Sequence, residues 1–433
     1  MQAYRLVAIP LNIALTSMFF FPFEFRALPA GMNTKKLLAA AVLVILIWKF
    51  VQKRELKLDK DFMFLSILAG LVSFCGILSV TYNSTEDYTY ATYITSCWVW
   101  WGAAYTVTQF VRKVHGKLTI PLIINYLLAV CVFQCFIALA MDMNKPLKLL
   151  INSIVYQGDL VFTGGVHRLY GIGCELDVAG SRFAAVLVML FFMLVNATHS
   201  LRWYEYTLYI ASFVFITIAG NMIARTTLIG VLIGIVYMVV MSLRPSKIVK
   251  SNTVQLWKWI IGVFIVAIPL SIYAYNTNTQ IRKNMRFGFE GFFNYFEKGK
   301  FNYTSNETLK NMYILPDNPK TWIIGDAYFN NPKMIDPYYT GEVTEGYYKN
   351  TDIGYLRFIF YFGVIGLLMF SFYFIEVGKI CMQRHPEWKV MFLLLLLLHF
   401  AIWAKVSTDI FLAFAPFLCF SYDEDCLSDS GDV

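Results

Sequence analysis

The sequence predicts an all-α polytopic integral membrane protein with about twelve transmembrane helices and one long extracytoplasmic loop between the ninth and tenth spans. Three observations lead there. Hydrophobic residues make up 58% of the chain and charged residues 15%, at a mean hydropathy of +0.57, far outside the balance of a soluble domain. The apolar residues gather in runs of near-spanning length, with Tyr and Trp at many of their ends, where amphipathic rings meet lipid headgroups. Lys and Arg cluster in the short connections, so the net charge of +8 reads as membrane topology and calls for no nucleic acid partner.

A span takes roughly 17 to 25 apolar residues, and the runs that approach this length are, in order, Tyr4 to Phe23, Leu37 to Val51, Phe62 to Val80, Tyr90 to Val111, Leu118 to Met141, Phe183 to Ala197, Tyr204 to Ala219, Leu228 to Leu243, Trp257 to Tyr275, Tyr355 to Val377, Val390 to Trp403 and Ile410 to Phe420. The second, eleventh and twelfth are the shortest for the task. The first run carries Arg5 near its start and ends in Phe19-Phe-Phe-Pro-Phe-Glu24 without a small-residue cleavage site, as a retained helix does and a removed signal peptide does not.

Four segments follow. Residues 1–275 hold the first nine helices with short loops, 276–352 form the large loop, 353–420 hold the last three helices, and 421–433 are an acidic tail. Lys53, Arg54, Lys57 and Lys60, then Arg112, Lys113 and Lys117, then Arg244, Lys247 and Lys250, then Lys379, Arg384 and Lys389 fall on alternate connections. By the positive-inside rule these connections and both termini are expected on the cytoplasmic side. The loop from Asp142 to Arg182, the tight turn around Arg225 and the long insertion then share the opposite face.

The eight cysteines lie mostly within apolar runs and form no paired CxxC, which indicates neither a disulfide framework nor a zinc site. Asp59-Lys-Asp61 and Asp423-Glu-Asp425 have the acid-x-acid form of metal-dependent nucleotide-sugar transferases, but no Rossmann-like context surrounds either. The chain has no Gly-rich phosphate loop, no GxSxG elbow, no HExxH and no EF-hand pattern. Soluble-style nucleotide chemistry is thereby set aside, and no cofactor is called for.

What the outer face offers is arginine at membrane depth. Arg168 sits in the Gly-rich turn His167-Arg-Leu-Tyr-Gly-Ile-Gly173, and Arg225 lies between two apolar spans in Gly220-Asn-Met-Ile-Ala-Arg-Thr-Thr227. An arginine there is costly unless it faces a water-filled cavity or meets an anion, and guanidinium suits bidentate phosphate contacts. The alternative readings are a snorkelling side chain, or a structural pair with Glu175, Asp177 or Asp352. Arg282 and Arg286 open the long loop in a Phe-rich segment that reads as lying in the interface plane, and they are further candidates for substrate binding. Asp352 stands where that loop re-enters the membrane, so partial desolvation would raise its pKa toward that of a useful base. His167 is the second candidate base or substrate contact.

Arg168-Leu-Tyr-Gly-Ile-Gly173, Ala224-Arg-Thr-Thr-Leu-Ile-Gly230, Trp322-Ile-Ile-Gly-Asp-Ala-Tyr-Phe329, and Asp352-Ile-Gly-Tyr-Leu356 with Tyr361-Phe-Gly-Val-Ile-Gly366 resemble, in that order, motifs of the Wzy-type O-antigen polymerases and the related O-antigen ligases. The resemblance implies a membrane glycosyltransferase of the bacterial cytoplasmic (inner) membrane. Its expected substrates are undecaprenyl-pyrophosphate-linked oligosaccharides, as donor and as acceptor, joined into O-antigen or capsule polysaccharide without a metal. It implies Arg168, Arg225 and Asp352 as the residues around the lipid pyrophosphate and the reacting sugar, and a chain-length regulator and a flippase as partners. Ligases commonly carry a His-Asn pair just before the last Tyr-Leu; this chain has Thr351-Asp-Ile353, which favours the polymerase over transfer to lipid A core. A lipid-linked oligosaccharide flippase is the rival from another class. Carriers of that kind tend to hold ionisable groups inside their spans, and here His399 is the main case, with Lys405 and Asp409 near the same end.

Overall fold

The computed structural model describes residues 2–53, 59–156, 168–174, 176–197, 202–243, 247–335, 339–341 and 347–420. His167, Glu175, Arg54, Lys57, Arg244 and the acidic tail lie outside the described residues.

Helices dominate the described chain. In order they are α1 (Gln2–Phe20), α2 (Thr34–Lys53), α3 (Lys60–Asn83), α4 (Tyr93–His115), α5 (Ile120–Met143), α6 (Lys145–Ile154), α7 (Leu176–Val195), α8 (Trp203–Ile223), α9 (Thr227–Ser242) and α10 (Lys247–Thr277). The long loop then contributes α11 (Thr279–Gly288), α12 (Glu290–Lys298), α13 (Thr304–Asn311), α14 (Pro319–Ile323) and α15 (Pro332–Ile335), and the chain closes with α16 (Gly354–Arg384), α17 (Lys389–Trp403) and α18 (Phe411–Leu418). The one sheet among the described residues is a two-stranded antiparallel pair, β1 (Glu24–Phe25) with β2 (Val155–Tyr156), in which Glu24 faces Tyr156. Seven of these helices are long and apolar enough to cross a membrane, and two further apolar helices, Val7–Phe20 and Thr227–Ser242, are shorter. An all-α membrane protein is therefore what the chain builds.

Several boundaries differ from the hydropathic runs, each for a physical reason. Helix α7 begins at Leu176, not Phe183, because its polar first turns are held by tertiary contacts: Asp177 pairs with Lys405 and accepts from Thr226, and Ser181 and Arg182 are buried. It is the central helix: 89% of its most apolar window is buried, against 11% for α10, which is peripheral. The close α7–α9 approach depends on Gly230, where an added Cβ would stand 2.4 Å from the Ala184 Cα. The twelfth run yields only the eight-residue α18, a rise of about 12 Å against a hydrocarbon thickness of about 30 Å.

Helix α16 is not one continuous span. Its backbone breaks at Phe362 and Gly363, the latter at φ 70°, and a break inside a membrane leaves carbonyls that must find other donors. The long loop supplies them. The backbone N–H groups of Asp326 and Ala327 donate to the carbonyls of Phe360 (2.6 Å) and Tyr361 (3.1 Å), and Ser79 Oγ donates to Tyr361 O at 2.7 Å. The connection after α3 joins in: the Asp87 carboxylate accepts from the N–H groups of Phe329 and Asn330, and Tyr361 Oη donates to the Asp87 carbonyl. The segment around Gly325 to Phe329 is thus a plug in the bundle, not the water-borne loop that its polar flanks imply.

A side chain at Gly363 would meet Ile323 O at 2.1 Å and hold an unfavourable φ. Gly363→Ala is expected to cost more than the roughly 1–3 kcal/mol of backbone strain alone, read as a fall of several degrees in the melting temperature of the full-length protein in detergent. An unchanged melting temperature would mean that the plug does not fix the break.

At the other end of the bundle, the Arg384 guanidinium pairs with both Asp59 and Asp61 and donates to the carbonyls of Leu418 and Phe420. The acid-x-acid pair near the start of α3 is thus held in an ion pair that ties α3, α16 and α18 together. Since α18 ends there and rises only about 12 Å, the polar connection Ala404–Ile410 that precedes it lies within the thickness of the bundle. Irregular backbone at such depth persists where protein encloses it or where it lines a water-filled cavity.

Candidate functional site

Residues from the loop before α7, the α8–α9 turn, the start of the long loop, the entry to α16 and the 404–410 connection meet at one end of the bundle. Arg225 is set by the turn between α8 and α9, where extended Ala224 ends one helix. Its Nε donates to Phe287 O at 3.0 Å, its guanidinium lies 2.7 Å from Glu290 Oε2, and its Cζ stands 4.3 Å from the centre of the Phe287 ring. Arg168 lies over the same ring, with its Cζ at 4.8 Å. The two arginines singled out in the sequence are therefore neighbours across one phenylalanine.

They are not equivalent. Arg225 is bound to a carboxylate, whereas Arg168 makes no hydrogen bond or ion pair among the described residues. Burial lowers the Arg168 pKa from its ordinary value; the charges of Asp177 and Asp352 oppose that shift and the charge of Arg225 adds to it. An arginine nevertheless keeps its proton in a protein, so this is a cation at a partly buried position without an ion pair among the described residues.

Below them, Lys405 Nζ lies 2.8 Å from Asp177 Oδ1 and 3.0 Å from Thr226 Oγ1, and the Thr226 hydroxyl donates to the same carboxylate. This unit fastens the α8–α9 turn to the first turn of α7 and to the 404–410 connection. Asp177 is thus the partner of Lys405, not of either arginine.

Asp352 is half-buried just ahead of α16 and makes no hydrogen bond or ion pair among the described residues. Desolvation raises its pKa above the ordinary carboxylate value; Arg357 opposes this, Asp177 adds to it, and Lys405 and Arg168 oppose it in turn. The base suggested by sequence is thus an uncommitted carboxylate within the electrostatic reach of Arg168. Beside it, Arg357 is buried between the rings of Phe329 (3.8 Å) and Tyr347 (3.5 Å). It donates to Ser407 Oγ at 2.6 Å and to Phe329 O at 2.8 Å. Arg357 links the α16 entry, the plug and the 404–410 connection, and it was missed in the sequence although an arginine in the first turn of an apolar span was a legible signal.

Arg282 and Arg286 are placed differently. Arg282 donates to the carbonyls of Tyr275 and Asn276, capping the end of α10. Arg286 grips Glu297 with its Nη2 at 2.6 Å and 2.7 Å and lies over Phe293. The structure does not join either to Arg168 and Arg225. The segment carrying them forms two amphipathic helices, with Phe292 and Phe296 exposed on α12. The mid-span histidine, His399, has neither ring nitrogen hydrogen-bonded among the described residues and is packed against Phe374 and Trp403.

Among the described residues the site therefore combines a guanidinium without an ion pair, a second one paired to Glu290, and a carboxylate without a partner. Among the described residues its cations Arg168, Arg225, Arg357 and Lys405 exceed its acids Asp177, Glu290 and Asp352 by one. Such a set can hold an anion and accept a proton beside it. Comparison of the chain with protein-family models, with characterised proteins and with solved structures returns no match.

Proposed function

We propose that the chain is a membrane glycosyltransferase that polymerises undecaprenyl-pyrophosphate-linked repeat units into O-antigen or capsule polysaccharide. The observation that carries this reading is the pair Arg168 and Arg225 over one phenylalanine ring, with the Asp352 carboxylate, unpaired among the described residues, within electrostatic reach of Arg168. In the proposed reaction an acceptor sugar hydroxyl attacks the anomeric carbon of the donor, and the bond from that carbon to the pyrophosphate oxygen breaks. Asp352 takes the hydroxyl proton, and Arg168 and Arg225 neutralise the pyrophosphate that leaves with the electron pair.

The topology proposed with it has about twelve hydrophobic segments in the bacterial inner membrane, the last represented by the short α18. Both termini are cytoplasmic and the arginine site opens to the periplasm. A coupled transporter is less well supported, since among the described residues His399 is packed against aromatic rings without a polar partner to begin a proton relay through the spans.

The test is glycan profiling of a strain lacking the gene, complemented with the wild-type chain or with variants shown to reach the membrane. Surface glycan stalled at one repeat unit and lengthened by the wild-type chain is the expected result. Long polymer retained on undecaprenyl pyrophosphate and missing from lipid A core would mean ligase; unpolymerised repeats held inside the cell would mean transporter.

A further inference from the structure

A second group of charges lies deeper in the bundle and takes no part in the site above. Lys35 stands in the first turn of α2, with its Nζ 5.1 Å from the centre of the Trp100 ring. Arg182, on α7, is 8% exposed, and its Cζ is 5.6 Å from the centre of the Phe21 ring. Neither cation makes a hydrogen bond or an ion pair among the described residues. Asp409, on the 404–410 connection, accepts one hydrogen bond among the described residues, from the Phe411 N–H at 2.9 Å, and the Phe411 ring packs 5.6 Å from the Trp100 ring over which Lys35 lies; Arg182 is within electrostatic reach of both groups. Two cations and one acid thus converge without closing an ion pair.

That arrangement is costly if nothing enters it. A buried charge is normally paired and hydrogen-bonded, and Asp409 alone cannot neutralise both Lys35 and Arg182. Lys35 and Asp409 are only half-buried, and the connection bearing Asp409 is irregular backbone within the bundle, of the kind tolerated where it lines a polar cavity. An ammonium and a guanidinium together suit a phosphoryl anion, the first as a point charge and the second as a planar fork.

We infer that Lys35 and Arg182 form a second anion subsite, for the pyrophosphate of the second lipid-linked substrate, with Asp409 limiting its affinity. The identity of that lipid rests on the polymerase reading. Arg182 follows Asp177 by five residues on α7, about 7.5 Å of helix rise, and the 404–410 connection carries both Lys405 and Asp409. The two subsites therefore share one helix and one connection and hold two pyrophosphates at separate places, as joining two lipid-linked glycans requires.

The test is the number of undecaprenyl pyrophosphate molecules bound per full-length chain in phosphatidylcholine nanodiscs, counted by native mass spectrometry, with inorganic pyrophosphate titrated in parallel. Two bound molecules are expected for the wild-type chain, one for Lys35→Gln or Arg182→Gln, and one for Arg168→Gln. Asp409→Asn keeps the acceptor for the Phe411 N–H and removes the repelling charge, so it tightens the inner subsite about tenfold; a purely structural role for Asp409 predicts no tightening. A single bound molecule in the wild-type chain, unaffected by Arg182→Gln and by Asp409→Asn, would overturn the subsite. Inorganic pyrophosphate held there as tightly as the lipid form would overturn its assignment to a lipid-linked substrate. Loss of one molecule in Arg182→Gln but none in Arg168→Gln would keep the inner subsite and remove the reading of the outer one.

Discussion

On the polymerase reading proposed above, Asp352→Asn is expected to lower polymerisation about 10²- to 10⁴-fold, the range for loss of a general base, in a protein as stable as the wild type. The stability half follows from the sign of the pKa shift. Desolvation raises the Asp352 pKa in the folded chain, so the folded state binds more protons than the unfolded one between the ordinary carboxylate value and the raised one. Stability is lost as pH climbs through that window. A neutral amide does not carry this cost, so the melting temperature at neutral pH is expected to hold or rise. The same shift moves the acidic limb of the rate profile above the ordinary carboxylate range, because only the ionised form accepts a proton. Arg357 is the chief charge opposing the shift, and Arg357→Gln is expected to move the limb further up. Measuring rate and melting temperature from pH 4 to 8 checks both; a slow variant that is also unstable would identify Asp352 as a structural residue.

The two arginines are expected to part company in stability while agreeing in activity. Arg168→Gln and Arg225→Gln should each slow polymerisation about 10²- to 10³-fold, as removal of one donor to a developing anion does. Arg168 has no ion pair among the described residues, so its variant should melt with the wild type. Arg225→Gln takes from Glu290 its cation, 2.7 Å away with side-chain exposures of 13% and 22% for the pair, and leaves the carboxylate only the hydrogen bonds from Thr304 among the described residues. The cost is about 2 kcal/mol, below the 3–5 kcal/mol of a fully buried pair because water still reaches both groups. Arg225→Gln with Glu290→Gln should recover much of the stability and none of the activity. If the double variant restored activity, Arg225 would be an anchor for the long loop and not a contact to the anion.

The carriers of these predictions were unequally visible in the sequence. Arg168 and Arg225 stood out because each interrupts apolar surroundings, where a guanidinium needs a reason. Phe287 did not, being one aromatic among many in its segment, and that both arginines lie over its ring is a tertiary fact. Glu290 was invisible for the same reason: a carboxylate in a polar loop carries no sign of its partner. Arg182 fell outside the expected span because hydropathy locates where a helix is apolar, not where it starts, and the polar first turns of α7 are held by tertiary contacts, with Ser181 and Arg182 buried.

The sequence by itself determined the class of protein and which stretches are apolar enough to form its helices, since both depend on local composition and on the cost of taking charge and backbone out of water. It also determined which charged groups stand apart from the usual pattern. Only the tertiary structure decided that α16 is broken and plugged, because Gly363 sits in an uninterrupted apolar run and its donors come from Asp326 and Ala327. Only the tertiary structure joined Arg225 to Glu290 and Lys405 to Asp177, with Arg168, Asp352, Lys35 and Arg182 in no ion pair among the described residues. Charge pairing acts through space at a few ångströms, and positions far apart in the chain carry no local record of it.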